Sequence, residues 1–299
     1  MTPPNHRNAV LLMLLATLLW SIAGVATRHL DSARGFEVTF WRSAFAALSL
    51  VLLLGWLRGP TALAQAIRGG GWPLWLSAAC WCVMMTAFML ALNMTSVANV
   101  LVTSAIAPLA AALIARLVLR ERLRRRTWMA AAVAGVGIAW MHAQGLSAGD
   151  RDQWRGVGVA LLVPIGFAIN WTLLQTIARR SRAGLAAPDM FAALLVGAIL
   201  SCLVTLGPAQ PFAASAHDLG LLATLGLVQV AIPCLIAVVA SRTLSAPEAS
   251  LLGLLEVLFG VAWAWLGAGE VPSTHTLGGG LLVLATLAAH EAVPMRLRK

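Results

Sequence analysis

Charged residues are scarce in this chain of 299 residues. Asp, Glu, Lys and Arg together make up 11% of the sequence, whereas 60% of it is hydrophobic. A soluble globular domain carries about 25% charged residues. The composition therefore excludes an ordinary water-soluble enzyme.

Lysine, cysteine and catalytic motifs are also sparse. The sole lysine is Lys299, so a phosphate-binding Gly-x-x-x-x-Gly-Lys loop for ATP cannot form. No His-Glu-x-x-His metal motif occurs, and the six histidines map near the ends of apolar runs. The four cysteines lie inside apolar stretches without metal-like spacing, so we predict free thiols, no metal site and no cofactor. An intramembrane enzyme is a minor alternative.

Long apolar runs, in contrast, recur along the whole chain. A helix needs about 20 apolar residues to cross roughly 30 Å of hydrocarbon. We place ten such spans at 8–28, 38–57, 72–92, 97–119, 128–142, 155–177, 188–206, 218–240, 247–267 and 274–291. The sequence thus predicts an all-α membrane protein with ten transmembrane helices.

Basic residues concentrate between alternate spans. With the N-terminus inside, 16 of the 21 basic residues face the cytoplasm, including the cluster between Arg120 and Arg126. We predict a multi-pass protein of a bacterial-type inner membrane with both termini cytoplasmic. The basic residues that give the net charge of +10 lie between the spans, where they orient the helices. We therefore expect no nucleic-acid partner. The expected partners are the lipid bilayer and a small-molecule substrate, bound by a monomer or a homodimer.

A weak internal repeat divides the chain near its middle. A shift of 149 residues aligns 91–127 with 240–276 without a gap, so that Ser96 meets Ser245 and Glu121 meets Glu270. Five spans per half force the second copy to enter the membrane from the opposite side, as in many secondary transporters. We predict two inverted five-helix repeats, residues 1–149 and 150–299. Glu121 and Glu270 then lie at opposite membrane faces, where a helix-end contact explains each.

The order of these features resembles a known family. The chain has Trp20-Ser21 in the first span, Arg42 early in the second, and a fourth span in which Pro108 leads toward Glu121. This pattern is similar to that of the drug/metabolite transporter superfamily and its ten-helix EamA-type exporters. The stretches LLWSIAGVATR and TFWRSAFAAL look most like the branch that exports aromatic and other amino acids. The chain departs from the repeat pattern in the ninth span, where Glu256-Val257 replaces Glu-Pro.

Glu256 and Arg42 are the main candidates for charged chemistry. Glu256 is the only acidic residue that the spans place near the bilayer midplane, where an ionisable group is costly. It could bind a proton or a substrate ammonium group, or tie the ninth span to a neighbour. Arg42 lies about one turn inside the second span, so it could snorkel outward, fix a helix, or hold a carboxylate. Either residue is a candidate for coupling or anchoring.

Uncharged candidates for a transport cavity are polar, aromatic and flexible residues near the span centres. For any one of them taken alone, packing or a bond to its own helix is the favoured explanation. The candidate cavity residues, besides Glu256, are Trp20, Ser21, Trp81, Met84, Met85, Ser104, Asn170, Trp171, Gln229 and Ser250. Pro108, Pro164 and Pro233 each interrupt a predicted span and are candidate kinks or hinges. Gly135, Gly137 and Gly278–Gly280 form small-residue patches in the fifth and tenth spans.

These features favour a secondary transporter over an enzyme. The residue types suit a zwitterion with an apolar or aromatic side chain, exported by alternating access between the two repeats. Drugs, nucleosides or sugars are alternative substrates, and a channel is a further alternative. Export, as opposed to import, rests on the family resemblance alone. A single titratable Glu256 is compatible with both proton antiport and facilitated diffusion.

Overall fold

The computed structural model describes residues 4–107, 109–110, 114, 125–141, 151–185, 187–244 and 246–296. Helices make up nearly all of this part of the chain, and no strand occurs within it. Five helical segments are long and apolar enough to cross a membrane: 6–28, 35–58, 71–94, 154–182 and 216–240. Shorter apolar helices accompany them. The predicted all-α membrane architecture is confirmed.

Helices follow one another along the described part of the chain. In chain order they are α1 His6–Trp20, α2 Ile22–Arg28, α3 Gly35–Arg58, α4 Pro60–Gly69, α5 Gly71–Met94, α6 Val97–Ser104, α7 Arg125–Met141, α8 Arg151–Arg182, α9 Met190–Leu206, α10 Ala216–Thr224, α11 Ile232–Ala240, α12 Ala246–Ala268 and α13 Thr274–Arg296. A π-helix, Leu225–Ala231, joins α10 to α11. Each predicted span overlaps one of these helices, and for the fourth span only the part around α6 is described.

The first span is one apolar run in the sequence and two helices in the structure. The Ser21 hydroxyl donates a hydrogen bond to the Leu18 carbonyl at 2.7 Å and accepts one from Trp263 Nε1 at 3.2 Å. A hydroxyl bonded to its own helix competes with the helical ladder and favours a bend. Ser21 therefore connects the junction of α1 and α2 to α12.

A short helix that the apolar runs did not predict follows the second span. Gly59, with φ of 83°, ends α3, and Pro60 begins α4. Leu63, Ala66 and Ile67 pack against the core, whereas most of the remaining side chains of α4 are exposed. An amphipathic helix too short to cross the hydrocarbon lies in the plane of the membrane interface. Helix α4 thus marks the headgroup level at this end of the bundle.

The two ends of the bundle differ in charge. We call the end at which α1, α5 and α9 begin and α3, α8 and α11 end the basic face. Its described residues include Arg58, Arg68, Arg182 and Arg242. At the opposite face, carboxylates join distant loops. Asp218 accepts hydrogen bonds from the backbone amides of residues 31–33 at 2.7–3.0 Å.

Glu270 makes a second connection at the opposite face. Its Oε2 forms an ion pair with Arg28 Nε at 2.8 Å, and its Oε1 accepts a hydrogen bond from the amide of Val97 at 2.8 Å. Val97 is the first residue of α6, whose first amides lack partners inside the helix. Arg28 also donates to the carbonyls of Leu92 and Thr95. Glu270 therefore makes the helix-end contact expected for it.

Glycines allow close helix contacts at two places. A Cβ on Gly137 of α7 would lie 2.9 Å from the carbonyl oxygen of Gly279 in α13, so the two small-residue patches pack against each other within the chain. A Cβ on Gly226, in the π-helix, would lie 2.7 Å from the backbone nitrogen of Ala46 in α3. The backbone of α3 cannot rotate out of the way as a side chain could.

We expect Gly226→Ala to destabilise the protein because the added methyl group overpacks this contact. Overpacking typically costs about 1–3 kcal/mol. The measurement is the thermal unfolding midpoint of the purified protein in detergent. Gly220→Ala is the matched control, because no atom lies within 4 Å of a Cβ added at Gly220. Equal midpoints for the two variants would contradict the contact.

Candidate functional site

A cavity of about 770 Å³ lies inside the helix bundle. Ligand sites in proteins typically have mostly apolar walls and a few polar groups. The walls come from α1, α3, α5, α8, α11, α12 and the π-helix. The lining residues are Trp20, Arg42, Trp81, Met84, Met85, Phe88, Val163, Phe167, Asn170, Trp171, Leu174, Gln229, Val230, Cys234, Ala237 and Glu256.

Eight of the eleven cavity residues proposed from the sequence lie together in this wall. They are Trp20, Trp81, Met84, Met85, Asn170, Trp171, Gln229 and Glu256. Ser104 lines an adjoining cavity, and its hydroxyl donates to the Val100 carbonyl of its own helix at 2.8 Å. Ser21 is buried at the junction of the first span. The backbone of Ser250 lies in α12, but its side chain is outside the described part of the structure.

Arg42 points into the protein. Its side chain is buried, with 2% of the residue surface exposed, so it does not snorkel outward. Nη1 donates a hydrogen bond to Gln229 Oε1 at 2.9 Å, and Nη2 donates to the Met85 carbonyl at 2.6 Å. One guanidinium thus joins α3 to α5 and to the π-helix. Arg42 fixes helices and lines the cavity at the same time.

Three buried N–H donors of the cavity wall have no hydrogen-bond partner among the described residues. They are Arg42 Nε, Trp81 Nε1 and Trp171 Nε1. Leaving a buried donor unpaired costs about 1–3 kcal/mol, more for a charged group. These nitrogen atoms have almost no accessible surface, so a ligand with acceptor oxygens would remove this cost only after the surrounding side chains shift. The wall is therefore suited to a carboxylate or a similar polar group.

Glu256 lies between two adjoining cavities. It is partly buried near the middle of α12 and lines both the central cavity and a second one of about 630 Å³. The two cavities share Trp20, Phe88, Val163 and Phe167 as well. Glu256 thus lies in the wall that the two cavities share. The two cavities hold one acidic side chain among their described lining residues.

Aromatic side chains that the sequence analysis missed complete the wall. The rings of Phe167 and Trp171 stack with centroids 5.2 Å apart and an interplanar angle of 23°. Their spacing of four residues on α8 could have indicated a shared helix face. Asn170, next to them, is fixed by the hydroxyl of Ser77, which donates to its Oδ1 at 2.6 Å. Phe88 and Cys234 also line the cavity and carried no distinctive sequence signal.

Two of the three predicted helix-interrupting prolines lie near the cavity. Pro164 is inside α8, next to Val163 of the wall, and Pro233 is the second residue of α11, just after the π-helix and next to Cys234. π-Helical turns occur frequently at functional sites. The π-helix here holds Gln229, the partner of Arg42. Pro108 lies outside the described residues.

Two other arrangements do not form a site of their own. Asp31, His217 and Asp218 lie within metal-binding distance of one another, but the Asp218 carboxylate already accepts backbone and hydroxyl hydrogen bonds. Residues 145–149, GLSAG, match the Gly-x-Ser-x-Gly pattern and lie outside the described residues. A nucleophile elbow follows a strand, whereas α7 ends at Met141 just before this stretch.

Comparison with known proteins gives this arrangement a family context. Residues 7–142 match the EamA-like transporter family. A crystal structure described only as "Crystal structure of protein" shares 19% identity with the chain, covering 99% of this chain and 100% of its own, at a TM-score of 0.67. At this identity the likeness shows the fold alone. No curated protein matches.

The EamA-like domain supplies only part of the cavity wall. Trp20, Arg42, Trp81, Met84 and Met85 belong to it, and the residues from Val163 to Glu256 come from the rest of the chain. The family match and the long apolar helices together indicate a membrane transporter of small molecules. The cavity depends on both parts, because the EamA-like domain alone lacks the Gln229 partner of Arg42 and the Glu256 carboxyl group.

Proposed function

We propose that this protein is a secondary transporter that exports amino acids, including aromatic ones, across the inner membrane. The observation that carries this proposal is the composition of the central cavity. It combines unpaired N–H donors, one carboxyl group and stacked aromatic rings inside a single internal space. A zwitterion with an apolar or aromatic side chain offers the complementary groups.

The proposed binding mode assigns one part of the substrate to each part of the wall. The substrate carboxylate accepts hydrogen bonds from Arg42 Nε and the indole N–H groups of Trp81 and Trp171. The substrate ammonium group donates to Glu256. An apolar or aromatic side chain packs against Trp20 and Phe167, and the flexible Met84 and Met85 adapt to different side chains. This mode explains a broad substrate range with a fixed zwitterionic core.

We infer alternating access between two inverted five-helix repeats, 1–149 and 150–299. The contacts at the opposite face support this inference, because Arg28 with Glu270 and residues 31–33 with Asp218 each join one proposed repeat to the other. Breaking such contacts would open that face to the cavity. Pro164 and the π-helix provide places where helices can bend. The arginine-rich basic face supports cytoplasmic termini.

A second candidate function is export of drugs or other metabolites such as nucleosides or sugars. The mostly apolar wall, with two methionines, favours it as a binding surface for uncharged amphipathic molecules. Such a substrate would leave Glu256 without a charged partner. Competition between amino acids and uncharged compounds therefore distinguishes the two candidates.

Counterflow in proteoliposomes tests the proposal directly. Vesicles are loaded with unlabelled phenylalanine, threonine or methionine, and labelled phenylalanine is supplied outside. We expect label to accumulate transiently above its external concentration, because the internal pool drives exchange through a carrier. Protein-free vesicles and vesicles loaded with buffer are the controls. Absence of counterflow for every amino acid, with folded and inserted protein, would exclude the amino acid assignment.

A further inference from the structure

A second recess, at the basic face, combines positive charge with a water-accessible opening. It encloses about 1070 Å³ between the ends of α3, α8, α9 and α11. The charged side chains among its described lining residues are Arg58, Arg182, Arg242 and Asp189. Three arginines and one aspartate give this lining a net charge of 3 − 1 = +2. The recess is therefore complementary to an anion.

Two of these arginines are held at one aromatic ring. The guanidinium carbons of Arg58 and Arg242 lie 4.5 and 5.3 Å from the centroid of Phe191, which is buried. Arg58 also forms an ion pair with Asp189. Asp189 has a second task, because its Oδ1 accepts a hydrogen bond from the Phe191 amide and caps α9. The two guanidinium groups thus lie at one buried ring beside the start of α9, and the planar fork of a guanidinium group suits a phosphate.

An apolar crevice begins where the charged recess ends. It encloses about 1020 Å³ and is lined by Leu12, Leu54, Leu57, Leu235, Ile236 and Val239, together with Arg58 and Phe191. Arg58 therefore lines both spaces. From the recess to the crevice, the lining changes from arginine side chains to the Phe191 ring and then to aliphatic side chains. A soluble anion would use only the first of these, whereas a phospholipid has a group for each.

The depth of Arg58 also fits a lipid headgroup. Arg58 is the last residue of the α3 span, and the interfacial helix α4 begins two residues later. Trp56, two residues before Arg58, is 84% exposed, as is typical of tryptophan at the membrane interface. The charged recess thus lies at the level at which the bilayer presents phosphate groups.

We propose that an anionic phospholipid of the leaflet at the basic face binds in this recess and crevice. Its phosphate is bound by Arg58 and Arg242, and one acyl chain lies between α1, α3 and α11. The proposal is independent of the transported substrate, because none of these residues except Leu174 at the recess edge contacts the central cavity. A lipid there would join the ends of helices from both halves of the chain.

Native mass spectrometry of the full-length protein in detergent tests this proposal with phosphatidylglycerol as the probe. We expect retained phosphatidylglycerol adducts on the wild type and weaker binding of zwitterionic phosphatidylcholine. Arg242→Gln is expected to weaken phosphatidylglycerol binding about fivefold, the effect of removing one basic residue near an anionic headgroup. Arg68→Gln is the matched control, since Arg68 lies at the same face and lines neither space. It is expected to bind like the wild type.

A second variant tests the acyl chain without touching any charge. Ile236→Trp fills the crevice and is expected to weaken phosphatidylglycerol binding while all three arginines remain. If thermal unfolding shows that Arg242→Gln does not fold, Ile236→Trp still tests the proposal. Glycerol 3-phosphate at millimolar concentration should not displace the lipid. Displacement would indicate a site for soluble anions and would overturn the proposal, as would equal phosphatidylglycerol binding by Arg242→Gln, Ile236→Trp and the wild type.

Discussion

Glu256→Gln is expected to reduce counterflow of zwitterionic amino acids at least tenfold. In the proposed binding mode the substrate ammonium group donates to the Glu256 carboxylate, and a hydrogen bond to a charged group is worth about 1.5–3 kcal/mol. Glutamine keeps the size of the side chain and removes its charge. Initial exchange rates at low substrate concentration measure the effect. Asp31→Asn, which removes an exposed acid at the opposite face, is the control and should leave the rate unchanged.

The same variant is expected to lose the dependence of exchange on pH. In the wild type, lowering the pH protonates the Glu256 carboxylate and removes the acceptor for the ammonium group, so exchange falls. In Glu256→Gln no such group remains, and the profile should be flat over the same range. A variant with unchanged rates and an unchanged pH profile would remove Glu256 from the mechanism. Loss of rate with an intact pH profile would locate the titrating group elsewhere.

The helical fold could be predicted from the sequence because the bilayer imposes a strong constraint. Each apolar run must satisfy its backbone hydrogen bonds internally, so a long run without charges predicts a helix. Helix α4 was missed because an interfacial helix of ten residues has too few apolar positions to stand out. The break at Ser21 and the π-helix around Gln229 were missed for another reason. Both depend on contacts with distant helices, α12 and α3, that no local pattern encodes.

The candidate site was predictable where a residue type is costly in the membrane. Glu256, Gln229 and Asn170 were identified because polar groups in hydrocarbon need a partner or a cavity, and all three line the wall. Phe88, Phe167 and Cys234 were missed because an apolar residue that lines a cavity looks like one that packs in the core. The orientation of Arg42 was also beyond the sequence. Its position near a span end permits snorkelling, and the Gln229 side chain and Met85 carbonyl that hold it inward are distant in the chain.

Arg42→Lys is expected to lower phenylalanine exchange at least tenfold although the positive charge remains. The guanidinium group donates to Gln229 and to the Met85 carbonyl, and its Nε, which has no partner among the described residues, is the proposed donor to the substrate carboxylate. A lysine ammonium is a single point on a flexible stem and cannot maintain these three directions at once. Loss of one charged hydrogen bond corresponds to about 1.5–3 kcal/mol. Counterflow of labelled phenylalanine measures the loss, with the conservative Arg68→Lys on the exposed side of α4 as the control.

Substrate analogues distinguish a binding role of Arg42 from a purely structural one. Phenethylamine lacks the carboxylate that Arg42 is proposed to bind and keeps the ammonium group and the ring. In competition with labelled phenylalanine, the wild type should prefer unlabelled phenylalanine over phenethylamine by tenfold or more. In Arg42→Lys this preference should shrink, because one of the three proposed donors to the carboxylate is gone and only Trp81 and Trp171 remain. N-acetylphenylalanine provides the reciprocal test, since it lacks the ammonium group that Glu256 is proposed to bind.

A role limited to fixing α3 against α5 and the π-helix makes a different prediction for the same experiment. Arg42→Lys would then lower the unfolding midpoint and weaken the binding of phenylalanine and phenethylamine by the same factor. A distorted cavity binds both compounds less well, whether or not they carry a carboxylate. The ratio of the two inhibition constants would stay at its wild-type value. That result would assign the carboxylate to Trp81 and Trp171 alone, whose buried indole N–H groups also have no partner among the described residues. The ratio thus separates binding from positioning even if the variant is less stable.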